Sequence, residues 1–176
     1  MGGNEGRFPQ LNSLSREDLI ALLEDAAKNW LAHDGLWFQA VEAKFGMDVA
    51  IELDREAWRQ FTVIEAKRIM EWHKIAPEGG IPALIRALSY RLYSYINRQE
   101  VIEVTSNRAV FRMIDCRVQS ARQRKGLSDF PCKTVGTVEY EFFARTIDER
   151  IQTRCLYCPP DTHPPDSWCA WEFSLQ

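Results

Sequence analysis

Val101-Ile102-Glu103-Val104-Thr105-Ser106-Asn107-Arg108-Ala109-Val110-Phe111-Arg112-Met113-Ile114 is the stretch on which the reading of the fold turns. Two runs of β-branched and aromatic residues flank the turn-forming pair Ser106-Asn107, so the stretch predicts a β-hairpin. It also marks a change of period, because the apolar residues before it recur at helical spacing and those within it do not.

Working back, Ser15 followed by Asp18 is an N-cap signal. Leu19, Leu23, Ala26, Trp30, His33, Trp37 and Val41 then predict one long helix, bent near Gly35 and ending at Gly46. Asp48 is expected to cap a short helix and Asp54 to restart it, with Trp58, Phe61, Ile64, Glu65, Arg68, Ile69 and Trp72 on or beside the inner stripe. Pro77-Glu78-Gly79-Gly80 ends that run. Pro82 suits the first turn of a third long helix carrying Leu84, Leu88, Leu92, Tyr95 and Ile96. Residues 1–12 lack periodicity and are expected to be a flexible tail.

Working forward, a basic helix is predicted from Arg117 to Gly126, and an amphipathic one from Asp129-Phe130-Pro131 carrying Val135, Val138, Phe142 and Phe143. Two last strands, Ile151 to Tyr157 and Trp168 to Leu175, are joined by a loop with four prolines. The expected architecture is α+β: three to four helices over residues 13–100, then a small antiparallel sheet with two helices over residues 101–176, packed as one unit.

The chain has 176 residues, 45% of them hydrophobic, and a formal net charge of −3. That balance provides no general field for nucleic acid, which is therefore not an expected partner. No apolar run reaches the ~18 residues that cross a bilayer, and the N-terminus lacks a basic stretch followed by an apolar one. A cytoplasmic protein with no membrane partner is expected.

The five cysteines are unevenly placed: all lie from Cys116 onward. In a reducing compartment such a cluster reads as metal ligands, reactive thiols or buried small hydrophobes. Cys155-Leu156-Tyr157-Cys158 has the two-residue spacer that turns two thiolates onto one ion, and His163 and Cys169 follow it. Cys155, Cys158, His163 and Cys169 are thus the candidate metal ligands, for zinc first and for iron or an iron–sulfur centre second. Cys132, at the start of a helix, is the candidate nucleophile or a further ligand, and Cys116 is the fifth thiol, without an assigned role.

His33 is expected to face inward from the first helix, as a general base or a hydrogen-bonded core histidine. Glu139, two turns after Cys132, could carry a proton from the same face, or be a solvated carboxylate. Glu65 and Arg68 could form an inward acid–base pair or a surface ion pair, and His73 receives no chemical role. Arg117, Arg122, Arg124 and Lys125 form the one local basic patch, where a phosphate or carboxylate could dock. No phosphate-binding Gly-rich loop, nucleophile elbow, H-E-x-x-H helix or Rossmann fingerprint occurs.

The segments Asn29-Trp30-Leu31-Ala32-His33-Asp34-Gly35-Leu36-Trp37-Phe38, Glu65-Ala66-Lys67-Arg68, Asp129-Phe130-Pro131-Cys132-Lys133 and Cys155-x2-Cys158-Pro159-Pro160-Asp161 resemble a family of small prokaryotic proteins of unknown function, over nearly the whole chain. The ending Cys169-Ala170-Trp171-Glu172-Phe173 is distantly similar to L-2-amino-thiazoline-4-carboxylic acid hydrolases, and also resembles the 4-vinyl reductase domain, a small-molecule-binding α+β module that can hold zinc. Both likenesses imply a ligand pocket near the cysteines.

Three functions follow as expectations. The first is a metal-binding hydrolase of a small cyclic amide or amidine, with a metal-bound water or the Cys132 thiolate as nucleophile and His33, His163 or Glu139 moving the proton. The second is a non-enzymatic small-molecule-binding or sensor module with a structural Cys/His metal site. The third is thiol redox or electron transfer. Tryptophan-bearing helical stripes also make a homodimer a reasonable partner arrangement.

Overall fold

The computed structural model describes residues 8–176. Of the expected tail, residues 1–7 lie outside the described residues, and Pro9–Asn12 forms one helical turn, α1. Helix α2 runs Arg16–Phe45. It starts where the sequence predicts: the Ser15 hydroxyl accepts from the Asp18 N–H and the Asp18 carboxylate accepts from the Ser15 N–H, a reciprocal capping box that satisfies two otherwise orphaned donors. Gly46, at φ +88°, closes it.

Helix α3, Met47–His73, is one continuous helix rather than a short helix and a restart. Asp48 and Asp54 have capping chemistry, but Ala50, Trp58, Thr62, Ala66 and Ile69 form one buried stripe that makes an interruption costly. The third helix is shorter than its apolar spacing suggests: α4 covers Gly80–Leu88, and Leu92–Tyr95 is a separate 3-10 turn. The break lets Arg91 leave the helical path and enter the interior, where it is 2% exposed.

The four strands are β1 Arg98–Ile102, β2 Arg108–Asp115, β3 Ile151–Tyr157 and β4 Cys169–Leu175, all antiparallel in the order β1-β2-β4-β3. Helices α5, Arg117–Arg124, and α6, Lys133–Ile147, connect β2 to β3. The structure is therefore α+β with the helices mostly in the first half.

Period-two alternation gives the sheet two chemically different faces. Phe111 and Met113 of β2, with Cys169, Trp171 and Phe173 of β4, belong to the main core with Tyr140, Phe143, Ala144 and Ile147 of α6. The opposite face carries charge: Glu172 accepts from Arg108 of β2 and Arg154 of β3. Helix α3 covers α6 on its other side, and α2 lies against α3. The Thr62 hydroxyl donates to the Glu139 carbonyl at 3.1 Å and locks α3 to α6. A second, smaller core of Trp58, Phe130 and Val135, with Trp30, Phe38, Phe61 and Tyr93 packed around it, lies nearer α2. The candidate site opens between these two cores.

Candidate functional site

Four of the five cysteines converge, although they come from three places in the chain. Cys155 lies in β3 at the point where its register with β4 shifts, Cys158 follows the strand, Cys169 begins β4 opposite Met113, and Cys132 precedes α6. The backbone holds them: the Lys133 N–H donates to the Pro159 carbonyl at 2.9 Å, joining the start of α6 to the proline-rich loop. Cys158, 1% exposed, is the hub. Its Sγ lies 3.4 Å from that of Cys132, and Cys155 and Cys169 are its other thiol neighbours.

The neighbouring thiols of Cys132, Cys155 and Cys169, and then burial, hold the Cys158 thiol well above the ordinary cysteine range. The complementary effect lowers Cys155, helped by the Lys133 ammonium. Lys133 is itself ion-paired to Asp161 at 2.8 Å. Burial pushes Cys116 up to about 12. Among the described residues, no group of three or more His, Cys, Asp or Glu side chains stands, as placed, in the arrangement of a metal site.

His163 does not join the thiols. Its ring packs against Trp168 with centroids 5.1 Å apart, and its Nδ1 meets the Pro164 carbonyl at 2.9 Å. His33 is exposed on α2 instead of facing inward, as is Trp37, because the helix turns its other side to α3. Cys132 and Glu139 do share a surface, both lining one cavity. The partners of the Cys132 thiol are Cys158 and Gln119, whose Nε2 donates to it at 3.6 Å.

Glu139 is buried and tied to Arg91, with Nη1 to Oε1 at 2.7 Å. Arg91 Nε also donates to Glu65 Oε2 at 2.8 Å, so Glu65 is paired with Arg91, while Arg68 is exposed. Burial pushes the Glu139 carboxyl up, opposed by Arg91. The Arg91 guanidinium lies 4.7 Å from the Phe143 ring centroid and within 5.8 Å of Trp58, Tyr93 and Tyr140. A lone arginine in the apolar run Ala87-Leu88-Ser89-Tyr90-Arg91-Leu92-Tyr93 was the one available signal for this buried charge.

The cavity, about 430 Å³, lies between α2, α3, α5, α6, the end of β2 and the start of β4. Its walls are largely aromatic, with Phe38, Trp58, Tyr93, Phe130, Tyr140 and Trp171 among the lining residues, and Cys116, Cys132, Cys158 and Cys169 border it. Gly136 of α6 is part of the wall because a Cβ there would come within 2.7 Å of the Trp171 ring.

Asp34 and Asp54 line the same space. Burial raises both carboxyls; Asp54 reaches about 7, with Asp34 and Glu139 adding to the rise and the Trp58 indole opposing it. Neither aspartate stood out in the sequence as a binding residue, since Asp54 reads there as a helix cap.

Of the basic patch, Arg122 is buried and spent on structure. Its guanidinium donates to both Glu42 oxygens, at 2.7 and 2.9 Å, and to the Ser128 carbonyl. Arg117, Arg124 and Lys125 are exposed where α5 borders the cavity.

Comparison with known proteins adds family and fold. The family of unknown function DUF6125 matches residues 12–175. No curated protein matches, so the likenesses to thiazoline carboxylic acid hydrolases and to the 4-vinyl reductase domain gain no support there. A solved structure similar in fold is the phenol-responsive sensory domain of the transcription activator PoxR with phenol, at TM-score 0.55 and 17% identity, covering 82% of this chain and 73% of that one. No helix among the described residues is long and apolar enough to cross a membrane.

Proposed function

Since the chain belongs to DUF6125, a family whose function is unknown, we propose from its site that it is a non-enzymatic, small-molecule-binding domain of the sensory kind. The observation that carries this is the cavity of about 430 Å³ with aromatic walls, within the ~300–1,000 Å³ range of ligand pockets. A binding domain needs an enclosed apolar volume with a few polar groups in it, and Asp34, Asp54 and Glu139 are such groups. The fold likeness to a phenol-responsive sensory domain supports the same class.

The hydrolytic reading gains nothing from this geometry. It needs a base beside a nucleophile. The contacts of the Cys132 thiol are an amide and another thiol, His33 is exposed, and Glu139 is held by Arg91.

Ligand entry is testable through the lining tryptophans. Titration with phenol and one-ring analogues should change the intrinsic tryptophan fluorescence and raise Tm in wild type, and Ala121→Phe, which places a ring in the cavity from α5, should abolish both responses. Equal responses in the variant would place binding elsewhere and overturn the reading.

The thiol convergence favours a second component, a closed structural metal. We propose Cys132, Cys155, Cys158 and Cys169 as its ligands, zinc before iron or an iron–sulfur centre, with Cys132 in the position the sequence assigned to His163. Staggered χ1 wells offer each Sγ alternative positions around the hub, and four thiolates suit a closed tetrahedral site. Such an ion would clamp β3, β4 and α6 under the cavity floor. Elemental analysis of protein purified anaerobically without a metal column, with thiol titration before and after chelator, should find about one metal per chain and thiols that react only after chelation. Metal-free protein with unchanged thiol reactivity would leave the cysteines as packing residues.

A further inference from the structure

The cavity carries a charge imbalance that an apolar ligand leaves uncorrected. Three carboxyl groups from three helices line it: Asp34 of α2, Asp54 of α3 and Glu139 of α6. Glu139 has a cationic partner in Arg91, but Arg91 is shared with Glu65, so this buried triad is itself one positive charge short. Asp34 and Asp54 make no ion pair among the described residues; the charges that bear on them are His33 for Asp34, and Asp34 and Glu139 for Asp54. Withdrawing carboxylates from water without neutralising them is costly.

The rings beside these acids are suited to a cation. Trp58, Tyr93 and Tyr140 line the cavity and already receive the Arg91 guanidinium at 5.6–5.8 Å from their centroids. Aromatic faces attract cations most strongly where water is excluded. The positive side chains at the border do not cancel this field. Arg122 is neutralised by Glu42, Lys28 is paired with Glu24, and Arg117, Arg124 and Lys125 are exposed to a solvent that screens charge over about 8 Å at physiological salt.

We infer that the ligand is a compact organic amine carried as its ammonium ion, whose nitrogen seats among Asp34, Asp54 and Glu139 and whose apolar skeleton lies on Trp58 and Tyr93. This rests on the cavity being the ligand site. It goes beyond that reading by naming the chemical class: a phenol or hydrocarbon of the same size leaves the acids unpaired, while an ammonium group satisfies the charge and donates up to three hydrogen bonds.

The test uses a matched pair, phenethylamine and 2-phenylethanol, which differ at the terminal group and therefore in charge. Calorimetric titration of wild type at pH 7.5 should give at least tenfold tighter binding of the amine, and Asp54→Asn and Asp34→Asn should each reduce that ratio several-fold by weakening the amine. Both substitutions remove a poorly neutralised, half-buried charge without changing shape, so both variants should fold, as circular dichroism will show. Alcohol binding as tight as amine binding, or a ratio unchanged in both variants, overturns the amine and leaves the cavity reading standing. If neither probe binds, nor any of a matched set of one- and two-ring amines and alcohols, both fail together.

Discussion

The Sγ of Cys132 stands 3.4 Å from the Sγ of Cys158, and this contact joins the start of α6 to the loop that follows β3. Cys158 is buried with three thiol neighbours, so replacing its sulfur with a hydroxyl puts a shorter, more polar atom among groups too soft to hydrogen-bond it well. Cys158→Ser should lower stability by about 1–2 kcal/mol in chelator, the scale of a buried polar group poorly satisfied. Without chelator the loss should be larger if a metal is bound there. Thermal melts of wild type and variant with and without chelator separate the two contributions.

Gly136 faces Trp171 across the α6–sheet interface, where a Cβ would meet the indole at 2.7 Å. Trp171 is fully buried and paired to Cys169 through its Nε1, so it has little room to retreat. Gly136→Ala gains up to about 1 kcal/mol of helix propensity, but overpacking costs about 1–3 kcal/mol. The expected result is a net loss, read as a lower midpoint in urea with an unchanged slope. A gain in stability would mean that the indole moves freely.

What could be read from the sequence divides along local and non-local lines. The Ser15 cap, the Gly46 stop, the existence of the hairpin and the strands around Cys155 and Cys169 are each encoded within a few residues, and the period shows them, although the hairpin's first strand is Arg98–Ile102 and not the run 101–105 that the period marks. Asp54 misleads, since its capping chemistry is overruled by a buried stripe that runs past it. The helix expected from Pro82 to Ile96 ends early because Arg91 must turn inward to meet acids 26 and 48 residues away in the chain. Cysteine spacing located three of the four converging thiols and admitted Cys132 as an outside candidate. It could not exclude His163, whose loop directs it to Trp168 instead. Nothing local announces a cavity whose walls come from four helices and two strands.

Arg91 is the centre of the buried charge network, and removing it should be the most damaging single change in the molecule. Arg91→Met leaves Glu65 and Glu139 buried without a counter-charge, for an expected loss of about 3–5 kcal/mol. The triple variant Arg91→Met, Glu65→Gln, Glu139→Gln should recover much of that loss, because neutral amides tolerate the site better than orphan carboxylates. Denaturant unfolding of the series decides; a triple variant no more stable than Arg91→Met would show that the packing of the guanidinium against four rings, rather than its charge, is what matters.

Two aspartates should impose opposite pH dependences on stability. The Asp148 carboxylate accepts from Arg150 and from the Gly80 N–H, which holds it down to about 2 from an ordinary 3.8. The unfolded chain therefore takes up a proton first as pH falls, so the stabilisation is complete above about pH 4 and is lost as pH drops through 2. Asp148→Asn should flatten that acid limb and lower Tm at neutral pH. Asp54 is the reverse case, raised to about 7 by burial and by Asp34 and Glu139, with Trp58 opposing. Here the unfolded chain loses its proton first as pH rises, so the stability present below about pH 4 is withdrawn between 4 and 7 and stays withdrawn above. Asp54→Asn should therefore raise Tm by a few degrees at pH 8 and by nearly nothing at pH 4. Melting curves of wild type and both variants from pH 2 to 8 test this. A uniform offset for Asp54→Asn across that range would mean that its carboxyl titrates normally and that the cavity is wetter than its walls imply.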